Sequence, residues 1–184
     1  MNPILNEYPT TLTARLAHLE ASRNDLLAEL SDVPAPAALP LGWSVSEIAY
    51  HLHLVERGIT RLLRKTLTAD SQAEPLSAEA LRAEWERTFT LADSARNPVQ
   101  APSYIEPKDA PSLPETVALL AQSRVALLEV LGTTNETELA SITAPHPFLG
   151  VLSGHGWLGM ITYHEVRHTR QIRAVKSATA EAAG

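Results

Sequence analysis

Residues 45 to about 67 carry an apolar residue at every third or fourth position, which is the pattern of an amphipathic helix. The repeat comprises Val45, Ile48, Leu52, Val55, Ile59, Leu62 and Leu63. Directly before it, Ser44 and Glu47 form a capping box, in which both side chains bind free N–H groups at the helix start. The segment therefore predicts a helix of about 23 residues, or about 35 Å, with one face buried.

Three further segments show the same helical pattern and supply partners for that face. We predict main helices over residues 9–30, 112–131 and 153–176, and an extra, shorter helix over residues 78–95. Ser112 and Glu115 form a second capping box, and Gly132 follows the helix that they open. Most prolines fall between these segments, with Pro34, Pro36 and Pro40 ending the first helix and four more within residues 97–112.

No strand pattern or internal repeat competes with the helices. Long helices joined by short polar or proline-rich links predict an all-α fold, an up-down four-helix bundle with one extra shorter helix. A length of 184 residues is typical of one domain, so residues 1–184 are expected to form a single unit. The Ala-rich tail from about residue 177 is expected to be disordered.

Composition removes several classes of function. The chain has 15 Lys+Arg against 21 Asp+Glu, a net charge of −6, which argues against a nucleic-acid partner. No apolar run approaches the roughly 20 residues of a membrane span, and no signal peptide is evident, so we expect a cytoplasmic protein without a membrane partner. Because there is no Cys, disulfides, thiolate metal sites and a thiol nucleophile of the chain's own are excluded. A metal site would have to use His and carboxylates.

Helix geometry sorts the seven His residues of the chain by direction. On the second helix, His51 lies about 70° from the centre of the apolar stripe and His53 about 130° from it, so His51 is expected inside and His53 in water. His18 and His155 are expected to project outward, and His146 to lie in a loop.

The last helix directs two histidines toward the core. His164 and His168 fall within about 40° of its apolar stripe, with Gln171 one turn further along. Residues four apart on one helix face are about 5 to 6 Å apart at Cβ, so both imidazoles can reach one ion. A hydrogen-bonded buried pair is the alternative, since buried polar groups normally find partners. From geometry alone, both interpretations stay open.

Residues 164–168 also fit the H-E-x-x-H pattern of zinc metalloproteases, in which the glutamate, here Glu165, is the general base. The longer form of that pattern has Gly and His where this chain has Gln171 and Ala174. A third ligand must therefore come from upstream, and His51 is the histidine already directed inward.

Several segments resemble the DinB/YfiT-like superfamily of bacterial four-helix-bundle metal proteins. Residues 42–52 match its Trp-Ser opening of the second helix, with a metal His eight residues after Trp43. Residues 146–152 match its His-Pro-aromatic turn, and they are followed by Trp157, the spaced His pair and Gln-Ile at 171–172. Arg167 departs from the pattern, because many relatives carry a further His there.

The resemblance implies a three-histidine metal site of His51, His164 and His168, and a homodimer. Relatives include bacillithiol transferases, mycothiol-dependent maleylpyruvate isomerase and metal-dependent hydrolases. For a site of three neutral imidazoles, Zn²⁺ or Ni²⁺ is the favoured divalent ion, and Fe²⁺ or Mn²⁺ are further possibilities.

Three functions follow from this resemblance. The first is a metal-dependent transferase that uses an external low-molecular-weight thiol, in stress or detoxification, on a small-molecule substrate. The second is a hydrolase in which the metal activates water and Glu165 or a nearby carboxylate takes the proton. The third is a stress-linked metal-binding protein without catalysis.

Candidate pocket residues also come from the helix faces. Arg23 and Arg124 lie on the apolar stripes of the first and third main helices, where they would bind a substrate carboxylate in a pocket shared with Gln171. The alternative for each arginine is to reach the rim or pair with an acid on a neighbouring helix. Trp43 and Trp157 are expected to pack near the mouth of the site.

Overall fold

The computed structural model describes residues 2–31, 33, 42–68, 73–93 and 101–183. These residues form six α-helices: α1 (Leu12–Ser31), α2 (Val45–Leu67), α3 (Ala78–Asp93), α4 (Leu113–Leu131), α5 (Glu136–Ser141) and α6 (Gly154–Ala183). Two short 3-10 helices, Pro3–Asn6 and Ser103–Ile105, and a hairpin of β1 (Thr143–His146) and β2 (Gly150–Ser153) complete the described part. The predicted all-α bundle of four main helices with an extra shorter one is confirmed.

The four long helices α1, α2, α4 and α6 enclose the core. Helix α2 packs against α4 and α6, α1 packs along α6, and α3 covers another side of α6. The core has two main parts along the bundle, one containing Leu63 and Leu158 and the other Ile48 and Ile172, all four at most 1% exposed. No described helix combines the length and the apolar character needed to cross a membrane.

Local capping explains where the long helices begin. The Ser44 Oγ accepts from the Glu47 backbone N–H (3.2 Å), and the Ser44 N–H donates to the Glu47 carboxylate (2.7 Å). Helix α1 begins at Leu12 instead of the predicted Pro9, because Thr11 Oγ1 accepts from the N–H of Ala14 (3.1 Å) and so caps it. The prolines predicted to end α1 lie outside the described residues.

Helix α6 continues beyond the predicted end at Lys176 and reaches Ala183. The expected disordered tail is therefore helical over residues 177–183. The composition of this segment accounts for the difference, since it is rich in Ala, the residue with the highest intrinsic helix propensity.

The connection between α4 and α6 is more ordered than predicted. Asn135 caps α5 by accepting from the Glu138 N–H (3.0 Å), and the strands that follow pair antiparallel, with Thr143 opposite Ser153. The prediction of no strand is wrong because each strand has only four residues, too few for alternation to show. His146, predicted in a loop, ends β1.

Candidate metal centre

Three histidines from two helices meet at one point beside the core. The Nε2 atom of His164 lies 3.3 Å from Nε2 of His51 and 3.0 Å from Nε2 of His168. Helix α6 supplies two of the rings because residues four apart share a face, and α2 brings the third across the bundle. The structure thus brings together the three residues that the sequence singles out, with ligand atoms within 4.8 Å of one another.

Hydrogen bonds on the far side of two rings fix their tautomers. Nδ1 of His51 donates to the backbone carbonyl of Ile105 (2.8 Å), and Nδ1 of His168 donates to Oε1 of Gln171 (2.8 Å). A neutral imidazole has a single N–H, so Nε2 of both rings is left with a lone pair directed at the centre. Such bonds orient metal-binding histidines in known sites.

The centre then has more nitrogen lone pairs than N–H groups that could donate to them. Nε2 of His164 could donate to one of the two facing nitrogens, but not to both. Its Nδ1 is buried and finds no hydrogen-bond partner among the described residues. With Zn–N bonds of about 2.0 to 2.1 Å, a tetrahedral ion holds its ligand nitrogens about 3.3 Å apart, close to the observed separations. The donor set therefore fits a divalent metal ion.

Burial keeps the three rings neutral. It lowers the pKa of His51, lowers that of His164 well below its ordinary value, and, with His51 nearby, lowers that of His168 to about 3. Metals bind the unprotonated ring, so the triad is held in the binding form at neutral pH.

The triad lies in the wall of a cavity of about 870 Å³ with mainly apolar and aromatic lining. Trp43 and Trp157 both line it, as predicted, and the ring of Trp43 is 4.8 Å from that of His51 between centroids. Among the described lining residues, Arg167 is the only Lys or Arg, and none is an Asp or Glu. The cavity therefore suits a largely apolar molecule.

The two predicted pocket arginines lie elsewhere, in a buried charge cluster formed by Arg23, Arg124, Glu56 and Glu165. Arg23 Nη2 is 2.6 Å from Glu165 Oε1 and 2.9 Å from Glu56 Oε2. Arg124 Nε is 2.7 Å from Glu56 Oε1, and its Nη2 is 3.0 Å from Glu165 Oε1. Of the two alternatives predicted for these arginines, binding of a substrate carboxylate is corrected, since neither residue lines the cavity. The other alternative, pairing with an acid on a neighbouring helix, is what both guanidinium groups show.

Glu165 is likewise unsuited to the predicted general-base role. It follows His164 on α6, and a step of about 100° turns its carboxylate away from the triad and into the buried charge cluster. Ser22 also donates to it (2.5 Å), and its side chain is 2% exposed. Gln171, predicted in the pocket, instead orients His168 from outside the cavity lining.

Three histidines predicted to face water are buried. His18, His53 and His155 are 3%, 5% and 4% exposed. His53 Nδ1 donates to the carbonyl of Leu119 on α4 (2.9 Å), and His155 Nε2 donates to that of Glu136 on α5 (3.0 Å). The prediction is wrong for these three residues because helices of this bundle contact neighbours on more than one side.

Two polar residues of the cavity, His146 and Arg167, are absent from the predicted site. The ring of His146 packs 5.2 Å from that of Trp157, and Arg167 directly precedes His168. Both could have been predicted from the matched motifs. His146 is the first residue of the His-Pro-aromatic turn, and Arg167 stands where many relatives carry a further His.

The fold and the three converging imidazoles define a four-helix bundle with a candidate three-histidine metal centre. The chain belongs to the DinB superfamily, whose sequence model matches residues 18–172 and so includes all three histidines. The resemblance drawn from the motifs is confirmed.

Two individual proteins extend this comparison. The uncharacterized protein YuaE of Bacillus subtilis (strain 168) is 24% identical over 135 residues, which cover 73% of this chain and 77% of YuaE. The crystal structure of TT2238, described as a four-helix bundle protein, is 30% identical, with a TM-score of 0.57 over 89% of this chain and 98% of TT2238.

Proposed function

We propose that the chain binds a divalent metal ion through His51, His164 and His168 and acts as a metal-dependent transferase of an external low-molecular-weight thiol. The observation that carries this proposal is the convergence of three neutral Nε2 atoms at the wall of an apolar cavity. Zn²⁺ and Ni²⁺ suit imidazole ligands best among the ions available to such a site.

His51, His164 and His168 would hold the divalent ion, which when bound would lower the pKa of a thiol ligand. The chain's own contribution is electrostatic, because three neutral imidazoles cancel none of the ion's charge and so favour an anion such as a thiolate. Since the chain has no Cys, the sulfur must belong to a substrate.

The cavity would hold the electrophile. Its volume is within the usual range for small-molecule pockets, and aromatic walls such as Trp43 and Trp157 keep water away from the reacting atoms. In the transfer, a sulfur lone pair forms the new S–C bond, the leaving group departs with its bonding electrons, and the thiol proton passes to solvent.

The position of the carboxylates favours transfer over hydrolysis. A hydrolase needs a base beside the attacking water, and none of the described residues that line the cavity is an Asp or Glu. Glu165, the glutamate of the H-E-x-x-H pattern, is tied to two arginines instead.

Metal analysis tests the first part of the proposal. We expect about one equivalent of metal in protein purified with Zn²⁺ or Ni²⁺ present, and an affinity at least about tenfold lower in His51→Ala, His164→Ala and His168→Ala. His53→Ala is the control, since His53 is equally buried but faces α4. Equal loss in His53→Ala with folding intact, or wild-type protein without metal, would contradict the assignment.

Conjugation tests the second part. The metal-loaded protein is assayed with a panel of cellular thiols and electrophiles, with loss of thiol and formation of thioether as readouts. We expect turnover in the wild type and none in the three triad variants. Bound metal without turnover across the panel would indicate a non-catalytic metal-binding protein.

A further inference from the structure

Two polar residues that line the cavity, Tyr163 and Thr88, are already hydrogen-bonded within the protein. The Tyr163 hydroxyl accepts from Trp85 Nε1 (2.7 Å) and donates to the carbonyl of Leu5 (3.2 Å). Thr88 Oγ1 donates to the carbonyl of Glu84 (2.9 Å). Outside the triad, several donors of the described lining have no hydrogen-bond partner within the described residues, among them Trp157 Nε1, His146 and Arg167, and Arg167 is the only Lys or Arg of that lining.

Arg167 brings a full positive charge into the apolar wall. It is partly buried, and within the described part of the chain its guanidinium has neither a carboxylate nor a hydrogen-bond partner. The other buried arginines differ sharply, since Arg23 and Arg124 are each paired with two glutamates. A guanidinium left unpaired beside apolar surface is a ready partner for an anionic group of a ligand.

His146 is held as a donor by the turn that follows it. Its Nδ1 accepts from the backbone N–H groups of Phe148 and Leu149, both at 3.2 Å. Because this nitrogen must stay unprotonated to accept, the ring proton is on Nε2. Across the described residues, Nε2 has no hydrogen-bond partner, and burial lowers the pKa of the ring, which keeps it neutral.

Both residues lie near the metal triad. Arg167 directly precedes His168 on α6, and both Arg167 and His146 line the same cavity as the three histidines. A ligand in the cavity can therefore contact the triad and these donors at the same time.

We propose that Arg167 and His146 form an anion subsite, and that the cavity takes an apolar or aromatic molecule carrying one carboxylate. A planar guanidinium matches the two oxygens of a carboxylate, and a single cation in the wall suits a single negative charge. The inference rests on the proposed function, in which this molecule is the substrate that meets the thiol, but the anion subsite itself consists only of side chains of this chain.

Two probes with the same carbon skeleton test the subsite. Calorimetry measures binding of 3-phenylpropionate and of 3-phenylpropan-1-ol to the full chain, both metal-loaded and after chelation. We expect the wild type to bind the acid at least about tenfold more tightly than the alcohol, as for a charge-assisted hydrogen bond. Arg167→Gln should reduce this preference to less than about twofold in both forms.

Matched variants separate the subsite from general charge effects. Arg173→Gln removes the same charge from the same helix outside the cavity, and it should keep the preference. His146→Asn retains an acceptor for the two turn N–H groups but lacks Nε2–H, so we expect an intermediate preference of about threefold. Circular dichroism and thermal melting check that each variant is folded.

Equal affinity for acid and alcohol in the wild type, or no binding of either at millimolar concentration, would overturn the proposal. So would a preference that survives Arg167→Gln, since the acid would then bind elsewhere, for example at the metal. A preference that depends on Arg167 in a protein that binds no metal would support the subsite while refuting the proposed metal function.

Discussion

Adjacent residues on α6 serve opposite sides of the helix. His164 faces the cavity and joins the histidine triad, whereas Glu165 faces α1 and α4 and joins the buried charge cluster. Burial alone would raise the pKa of Glu56 in that cluster, but the positive charges of Arg124 and Arg23 outweigh it and lower this pKa. The H-E-x-x-H pattern thus combines two metal-ligand candidates with a structural glutamate.

Glu165→Gln is expected to destabilise the fold by about 3 kcal/mol, because it leaves two buried guanidinium groups with one carboxylate. Urea unfolding of the metal-free protein measures the change. Glu86→Gln is the matched control: its partner Arg82 and Glu86 itself are 62% and 56% exposed, and the cost should be under about 1 kcal/mol. Unchanged stability with lost turnover would instead restore a catalytic role for Glu165.

The buried carboxylate of Glu84 joins α3 to the start of α6. Glu84 accepts from the backbone N–H of Ser153 (2.7 Å) and from its hydroxyl (2.5 Å), and Ser153 Oγ in turn accepts from the Gly156 N–H (3.0 Å). Gly156 leaves room for this contact, since a Cβ there would lie 2.5 Å from the carboxyl carbon of Glu84.

Glu84→Ala is expected to cost about 1 to 3 kcal/mol of folding free energy, because it leaves a buried N–H without its acceptor. Hydrogen exchange provides the specific readout, with faster exchange at the Ser153 and Gly156 amides than in the wild type. Glu86→Ala, on the exposed face of the same helix, serves as the control. Similar losses in both variants would show that α3 contributes only through general helix stability.

The elements best predicted from sequence are those whose ends are set by local chemistry. Helices α2 and α4 begin where residues close in sequence cap them, at the Ser44 capping box and at the Ser112–Glu115 pair. The hairpin and α5 escaped prediction because their elements have only four to six residues, too few for periodicity to show, although Asn135 and Glu138 cap α5 locally. Periodicity likewise located the triad but not His53, since one apolar stripe cannot describe a helix buried on two sides.

At the scale of the whole molecule, packing around α1, α2 and α6 encloses histidines outside the triad as well. Burial lowers the pKa of His18 and His53 and, assisted by the charge of Arg15, lowers that of His155 to about 4. A fold that buries neutral histidines becomes less stable in acid, because the unfolded chain takes up protons that the folded chain does not.

His155 provides the sharpest case of this acid sensitivity. Its pKa is about 4 in the folded protein and near 6.5 when unfolded, so the unfolded chain binds more protons between these values and stability falls as the pH falls through them. The loss reaches about 3 kcal/mol at pH 4 and is absent above about pH 6.5. His155→Gln keeps a donor for the Glu136 carbonyl but cannot titrate. Urea unfolding of both metal-free proteins from pH 8 to pH 4 should therefore give a shallower decline for the variant, whereas parallel curves would show that His155 is protonated alike in both states.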